Sequence, residues 1–255
     1  MKWFFKDSEK TFNLKELDRE RLIYRVMPHL LAEIMTKYFR MTIEGQENIP
    51  RKGPALITPN HSGYSGFDAF LLGHQIHKAT KRTARILTHR LWFLNSTTAI
   101  PMNKMGFIEA TKKNGNDQLN KNNFIVLFPE GEYGNFKPST KAYHLQEFKR
   151  GFIRMAIQRQ CPIVPTLILG AEETHINLAQ LKFTKYLRGT IIPIPLNVLP
   201  LPAKWHIIFM DPIELPYTEK HLQDRELITE LATDIRETMQ ARLSHEVNKR
   251  KNLYF

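Results

Sequence analysis

The sequence predicts an α/β protein: a mostly parallel central sheet flanked by helices, with a helical N-terminal extension. Three observations predict it. From about residue 41, short apolar runs alternate with helix-length segments, the pattern that builds parallel sheets covered by helices. Residues 14–39 repeat their apolar side chains at helical spacing instead. No internal repeat or low-complexity linker divides the remainder, so residues 1–40 read as the extension and 41–255 as a single domain.

In chain order, Leu14, Leu17, Leu22, Ile23, Val26, Met27, Leu30, Leu31, Ile34, Met35 and Phe39 form one stripe. Such a helix packs on a core or lies among lipid headgroups. Ala55-Leu-Ile-Thr reads as a buried strand, followed by a Gly/Ser-rich turn and the apolar stretch Phe67 to Ile76. Arg85-Ile-Leu-Thr and Asn123-Phe-Ile-Val-Leu-Phe read as the next strands, the latter ended by Pro129. His144 to Gln160 reads as a helix, Pro162 to Gly170 as a strand, and Trp205 to Met210 as the last strand before a terminal helix over 218–248. The stretch 191–202 is apolar but broken by Pro193, Pro195, Pro200 and Pro202, and reads as a rigid surface loop reaching toward lipid or, as the second reading, a loop packed on the sheet.

The 255 residues are 42% hydrophobic and 24% charged, enough apolar material for a core and too much for a disordered chain. The single cysteine, Cys161, has no partner for a disulfide, and no Cys/His spacing suits a structural zinc. His74 and His77 share a helical face, but no third ligand is placed near them. Thirty-seven basic against 25 acidic residues give a formal charge of +12, which favours polyanions and anionic membrane surfaces. No nucleic-acid-binding pattern accompanies that charge. The opening Met1-Lys-Trp-Phe-Phe-Lys-Asp is too short for a signal-peptide core, and no run of about 18 apolar residues occurs. These features predict a cytoplasmic protein, peripheral on the cytoplasmic face of a membrane.

Two segments carry the chemistry, and each follows a strand. In Pro59-Asn60-His61-Ser62-Gly63-Tyr64-Ser65-Gly66-Phe67-Asp68, two glycines separate a histidine from an aspartate. A carboxylate that accepts the Nδ1 proton of histidine fixes its tautomer and stabilises the imidazolium, which makes the ring a general base. The bland alternative is a loop histidine near a helix-starting aspartate. In Phe128-Pro129-Glu130-Gly131-Glu132-Tyr133-Gly134, a carboxylate sits in a glycine-rich turn. The serine of Gly63-Tyr-Ser-Gly lacks the spacing of a nucleophile elbow.

Together the segments resemble the glycerolipid acyltransferases, the lysophospholipid (1-acylglycerol-3-phosphate) type and in particular its divergent monoacylglycerol-acyltransferase-like branch. Asn60-His61…Asp68 matches that family's His/Asp motif, Gly106-Phe-Ile-Glu-Ala its second block, Phe128-Pro-Glu-Gly its third and Pro162-Ile-Val-Pro165 its fourth. The resemblance implies transfer of an acyl chain from a thioester, acyl-CoA or an acidic acyl carrier protein, to a lipid hydroxyl. It makes His61 the base and Asp68 its orienting partner. Asn60, Glu130, Gly131 and Pro165 would bind substrate, and Lys149 or Arg150 would meet the donor's phosphates. It implies no metal and no bound cofactor. Six residues separate His61 from Asp68 where the family commonly has four. The arginine that ends the second block is absent too; Lys112 or Lys113 would replace it as a point charge. The competing reading is a basic lipid-binding module of the same fold without activity.

Overall fold

The computed structural model describes residues 19–183 and 190–254. Residues 14–18 of the expected first helix, and the opening heptapeptide, lie outside them. A seven-stranded sheet forms the centre. Its strands are β1 (Thr42–Glu44), β2 (Ala55–Pro59), β3 (Arg85–Thr88), β4 (Phe107–Glu109), β5 (Phe124–Val126), β6 (Ile163–Leu169) and β9 (His206–Phe209). Their spatial order is β1-β9-β6-β2-β5-β3-β4. The five strands from β6 to β4 run parallel, while β9 pairs antiparallel with β6 and parallel with β1.

Both faces of the sheet are covered, which is why its strands read as continuous apolar runs. On one face Ile57, Val126, Val164 and Ile207 pack with Ala32, Met35, Leu71, Leu72 and Ile76 from helices α1 (Met27–Tyr38) and α2 (Phe67–Thr80). On the other, Leu56, Ile125, Ile163 and Ile208 pack with Phe152, Ile153 and Ile157 of α5 (Gly151–Arg159) and with Ile228, Ile235 and Met239 of α6 (Arg225–Lys249). Each fully buried Leu or Ile contributes about 1.5–3 kcal/mol to this packing. Between β3 and β5 the chain forms α3 (Ser96–Lys104) and α4 (Lys112–Asn120), capped by Asn95 and Thr111.

Three sequence expectations are corrected. Residues 144–150 are not helical, because their amides go to tertiary partners: Leu145 to Gln240, Gln146 to Glu130 and Lys149 to the carbonyl of Pro129. The proline-broken stretch is not simply a loop. Its first part is β8 (Thr190–Pro195), which forms a separate two-stranded antiparallel sheet with β7 (Asn177–Phe183). A two-stranded sheet has only edges, where proline's missing N–H costs least. The terminal helix begins at Arg225, after a 3-10 turn at Glu219–Gln223, with Asp224 accepting from the Leu227 amide as its N-cap.

The N-terminal helix has an apolar face toward the core and another toward solvent. Ala32, Met35 and Phe39 are buried, whereas Leu22, Ile23, Met27, Leu30, Leu31 and Ile34 are exposed. Residues Leu22–Val26 make a π-helical turn ahead of α1.

Candidate active site

Three neighbouring parallel strands, β6, β2 and β5, deliver the site from their carboxyl ends, where open α/β sheets place their ligands. His61 follows β2, Glu130 follows β5 and Glu172 follows β6. The turn after β2 takes both of its glycines into the left-handed region, Gly63 at φ 78° and Gly66 at φ 73°. That fold returns the chain to the start of α2, with Asp68 in its first turn. The six-residue gap is therefore closed: His61 Nδ1 lies 2.6 Å from Asp68 Oδ2. Asp68 is fully buried, while the His61 side chain keeps 15% of its exposure. The same Asp68 oxygen accepts the Ser62 amide at 3.0 Å, and Oδ1 accepts the Ala69 amide at 2.7 Å. Phe128 stacks on the imidazole at 3.9 Å between ring centroids.

Glu130 lies beneath this pair, 1% exposed. Its Oε1 accepts the His61 amide at 2.8 Å and its Oε2 the Gln146 amide at 2.8 Å. Lys137 is buried beside it, 3.8 Å from Glu130 and 2.9 Å from Glu172. Burial alone would lower the Lys137 pKa, but Glu172 and Glu130 outweigh it and raise it. One ammonium is thus shared by two carboxylates. Burial pushes the Glu172 carboxyl up to about 7 against the pull of Lys137.

The family model for acyltransferases matches residues 40–169, half of the chain, and spans the His61 and Glu130 segments. The chain belongs to the acyltransferase family. The acyltransferase is 33% identical over 239 residues to an uncharacterized protein of Mycobacterium tuberculosis, covering 89% of this chain and 67% of that one. It is 32% identical over 143 residues to a 1-acyl-sn-glycerol-3-phosphate acyltransferase of Cocos nucifera, covering 53% of this chain and 42% of that one. Its fold is similar to the crystal structure of the 1-acyl-sn-glycerophosphate (LPA) acyltransferase PlsC of Thermotoga maritima. The TM-score is 0.58 at 16% identity, covering 92% of this chain and 85% of that one.

The remaining sequence-selected residues of the acyltransferase fall into two groups. Gly131 and Lys149 are at the site: a Cβ on Gly131 would stand 2.6 Å from the Lys149 ammonium. The others are placed elsewhere or are already engaged. Asn60 is fully buried and spends its amide on both backbone groups of Ile168, tying the end of β2 to β6. Glu130, expected to face substrate, gives both oxygens to backbone amides. Pro165 lies inside β6 opposite Thr58, buried in the sheet. Arg150 donates to Thr229 on α6. Lys112 and Lys113 are exposed on the first turn of α4, past the end of edge strand β4. That strand is three places from β2, about 14 Å at ordinary strand spacing. His74 pairs with Glu33 at 2.9 Å rather than with His77.

Sequence reasoning missed Lys137 and Glu172. Glu172 had one legible signal, an acid just past a strand end in Gly170-Ala-Glu; Lys137 had none.

Proposed function

We propose that this acyltransferase moves a fatty acyl chain from a thioester, acyl-CoA or an acyl carrier protein, to a hydroxyl of a glycerolipid-type acceptor at a membrane surface. The 2.6 Å contact between His61 Nδ1 and the buried Asp68 carboxylate carries the reading. With Nδ1–H donated to Asp68, Nε2 is the basic nitrogen. It takes the acceptor's hydroxyl proton as the oxygen attacks the thioester carbonyl. The tetrahedral intermediate collapses with cleavage of the C–S bond, and the imidazolium returns the proton to the departing sulfur. Ester and thiol result, with no covalent enzyme intermediate. Asp68 stabilises the transient imidazolium. Glu130 holds the His61 backbone, so the ring keeps its aim.

Exposed apolar segments support the membrane surface. The outer face of α1 presents Met27, Leu30, Leu31 and Ile34, and the loop after β8 presents Leu196, Val198 and Leu199, the last two 80% and 81% exposed. The two segments are joined, since Tyr38 on α1 donates to the Pro200 carbonyl at 2.7 Å. The loop is also tied to the catalytic turn, because Tyr64 donates to the Asn197 carbonyl at 3.0 Å. Among the described residues no helix is long and apolar enough to cross a membrane. Arg19, Arg21, Arg25 and Lys37 are exposed along the helical segment and would meet anionic headgroups, each contributing about 1 kcal/mol near such a surface.

The test is thiol release from acyl-CoA and from acyl carrier protein by the purified chain, with a panel of glycerolipid acceptors and mass spectrometry of the products. Acceptor-dependent thiol release with a matching new ester is expected. Vesicle binding without turnover on any acceptor would favour the inactive lipid-binding reading instead.

A further inference from the structure

Lys137 is a charged side chain held where few lysines are found. Its side chain is 4% exposed and lies between the carboxylates of Glu130 and Glu172, which are 0% and 5% exposed. An ammonium is costly to bury, so the fold has to hold this one in place. It does so from both ends. Asn177 on β7 donates to the carbonyls of Phe136 and Lys137 at 2.8 and 3.0 Å, which fixes the backbone. Glu172 Oε1 at 2.9 Å and the His144 carbonyl at 3.4 Å fix the ammonium. The chain from Glu130 to Lys137 closes so tightly that a Cβ on Gly134 would stand 2.5 Å from that of Glu130.

A cation this deeply buried touches no substrate, but it faces a carboxylate that acts on the catalytic turn. Its Nζ lies 3.8 Å from Glu130 Oε2. That oxygen accepts the Gln146 amide, while Oε1 accepts the His61 amide. The carboxyl serves both amides only while ionised, because a proton on either oxygen would compete with the N–H already there. A buried carboxylate without a nearby cation takes up a proton or turns toward water, and either change releases an amide. Glu172 does not cancel the ammonium near neutrality, since burial raises its carboxyl to about 7 and leaves it partly protonated there. His175 lines the same small hollow as Lys137 and Glu172; burial lowers its pKa, so it adds no charge.

We propose that Lys137 is a positioning residue for acyl transfer: its ammonium balances the charge of Glu130, so that this carboxylate holds the His61 and Gln146 amides together and the imidazole keeps its aim. Glu172 seats the ammonium, and the ammonium acts on Glu130 across the remaining gap. This role rests on the acyl-transfer reading and adds to it a residue that never meets the substrate.

The full chain is assayed with oleoyl-CoA as donor and the glycerolipid panel as acceptors, 1-oleoylglycerol and 1-oleoylglycerol 3-phosphate included. Variants are compared on the faster of those two. Lys137→Met should lower kcat about tenfold or more and change KM far less, the mark of a misaimed base. Lys137→Met with Glu172→Gln removes the cation together with a carboxylate. It should melt closer to the wild type than the single variant does, yet keep the loss in kcat. On a Glu130→Gln background, adding Lys137→Met should cost kcat less than about threefold, because no charge remains there for the ammonium to balance. Hydrogen exchange at the His61 amide, read by NMR, should speed about tenfold in both the single and the charge-balanced variant.

An unchanged kcat in folded Lys137→Met overturns the role. So does recovery of kcat in the charge-balanced variant, which would assign the loss to folding. Losses that multiply in full with Glu130→Gln also overturn it, because Lys137 would then act outside Glu130. All three leave acyl transfer standing. No CoA release from the wild type with any acceptor overturns the acyl-transfer reading, and this role with it. If Lys137→Met alone fails to fold, the charge-balanced variant still decides through its kcat and its His61 amide.

Discussion

Glu130 holds the backbone amide of His61, a residue 69 positions earlier, at 2.8 Å through one oxygen, and that of Gln146 at 2.8 Å through the other. A single carboxylate therefore ties the turn after β2 to the segment that carries Gln146. Glu130→Gln keeps the shape but leaves one acceptor where two are needed, and sets an N–H₂ against an N–H. About 1–3 kcal/mol of stability should be lost, with kcat falling more than KM is raised. Urea denaturation and initial rates read the two effects; an unchanged kcat would show that the His61 backbone needs no such anchor.

His61→Ala should reduce acyl transfer by about 10²–10⁴-fold, the usual worth of a general base. Its melting temperature should stay within a few degrees, since the ring is partly exposed. Asp68→Asn should cost a similar factor, because an amide at 2.6 Å from Nδ1 favours the wrong tautomer. Retention of most of the activity by either variant would remove that residue from the mechanism.

Lys137→Met leaves Glu130 and Glu172 buried without their cation. Removing one partner from a buried ion pair typically costs about 3–5 kcal/mol. The loss should be smaller at pH 5 than at pH 8, because Glu172 then carries its own proton. Chemical denaturation at both pH values checks the size and the sign.

Glu172 also gives the wild type a pH-dependent stability. Its folded pKa of about 7 lies above the ordinary carboxyl value of 4.5, so the proton binds the folded state more tightly. Its contribution is complete below about pH 4.5 and is lost as pH rises through 7. Glu172→Gln should flatten the fall in melting temperature between pH 5 and pH 8. A variant whose melting curve parallels the wild type across that range would contradict a buried neutral carboxyl.

Val198→Asp with Leu199→Asp places two charges on the most exposed apolar loop. Co-sedimentation with anionic vesicles should fall several-fold while turnover of a dispersed, short-chain acceptor changes little. Undiminished sedimentation would move the membrane contact to α1 alone.

Local patterns made much of this legible. Buried parallel strands are continuous apolar runs, so β2, β3, β5 and β6 could be read almost to their ends. The short edge strands β1 and β4 could not, because three residues carry too little periodicity to stand out. His61 and Asp68 were legible as a pair because both lie on one short turn whose glycines permit its reversal. The false helix at 144–150 and the unforeseen backbone partners of Glu130 share one cause: their partners are Gln240, His61 and each other, all distant or unmarked in sequence.

By itself, the sequence determined the layer architecture, the charge, and the pairing of His61 with Asp68 at the candidate site, since each rests on residues within one run or one turn. The tertiary structure alone decided which acid does what. Asp68 reaches the imidazole ring, Glu130 its backbone, and Glu172 shares Lys137 with Glu130. Those assignments depend on three strand ends meeting in space, and on how much water is excluded where they meet. Neither quantity is encoded by spacing along a single segment.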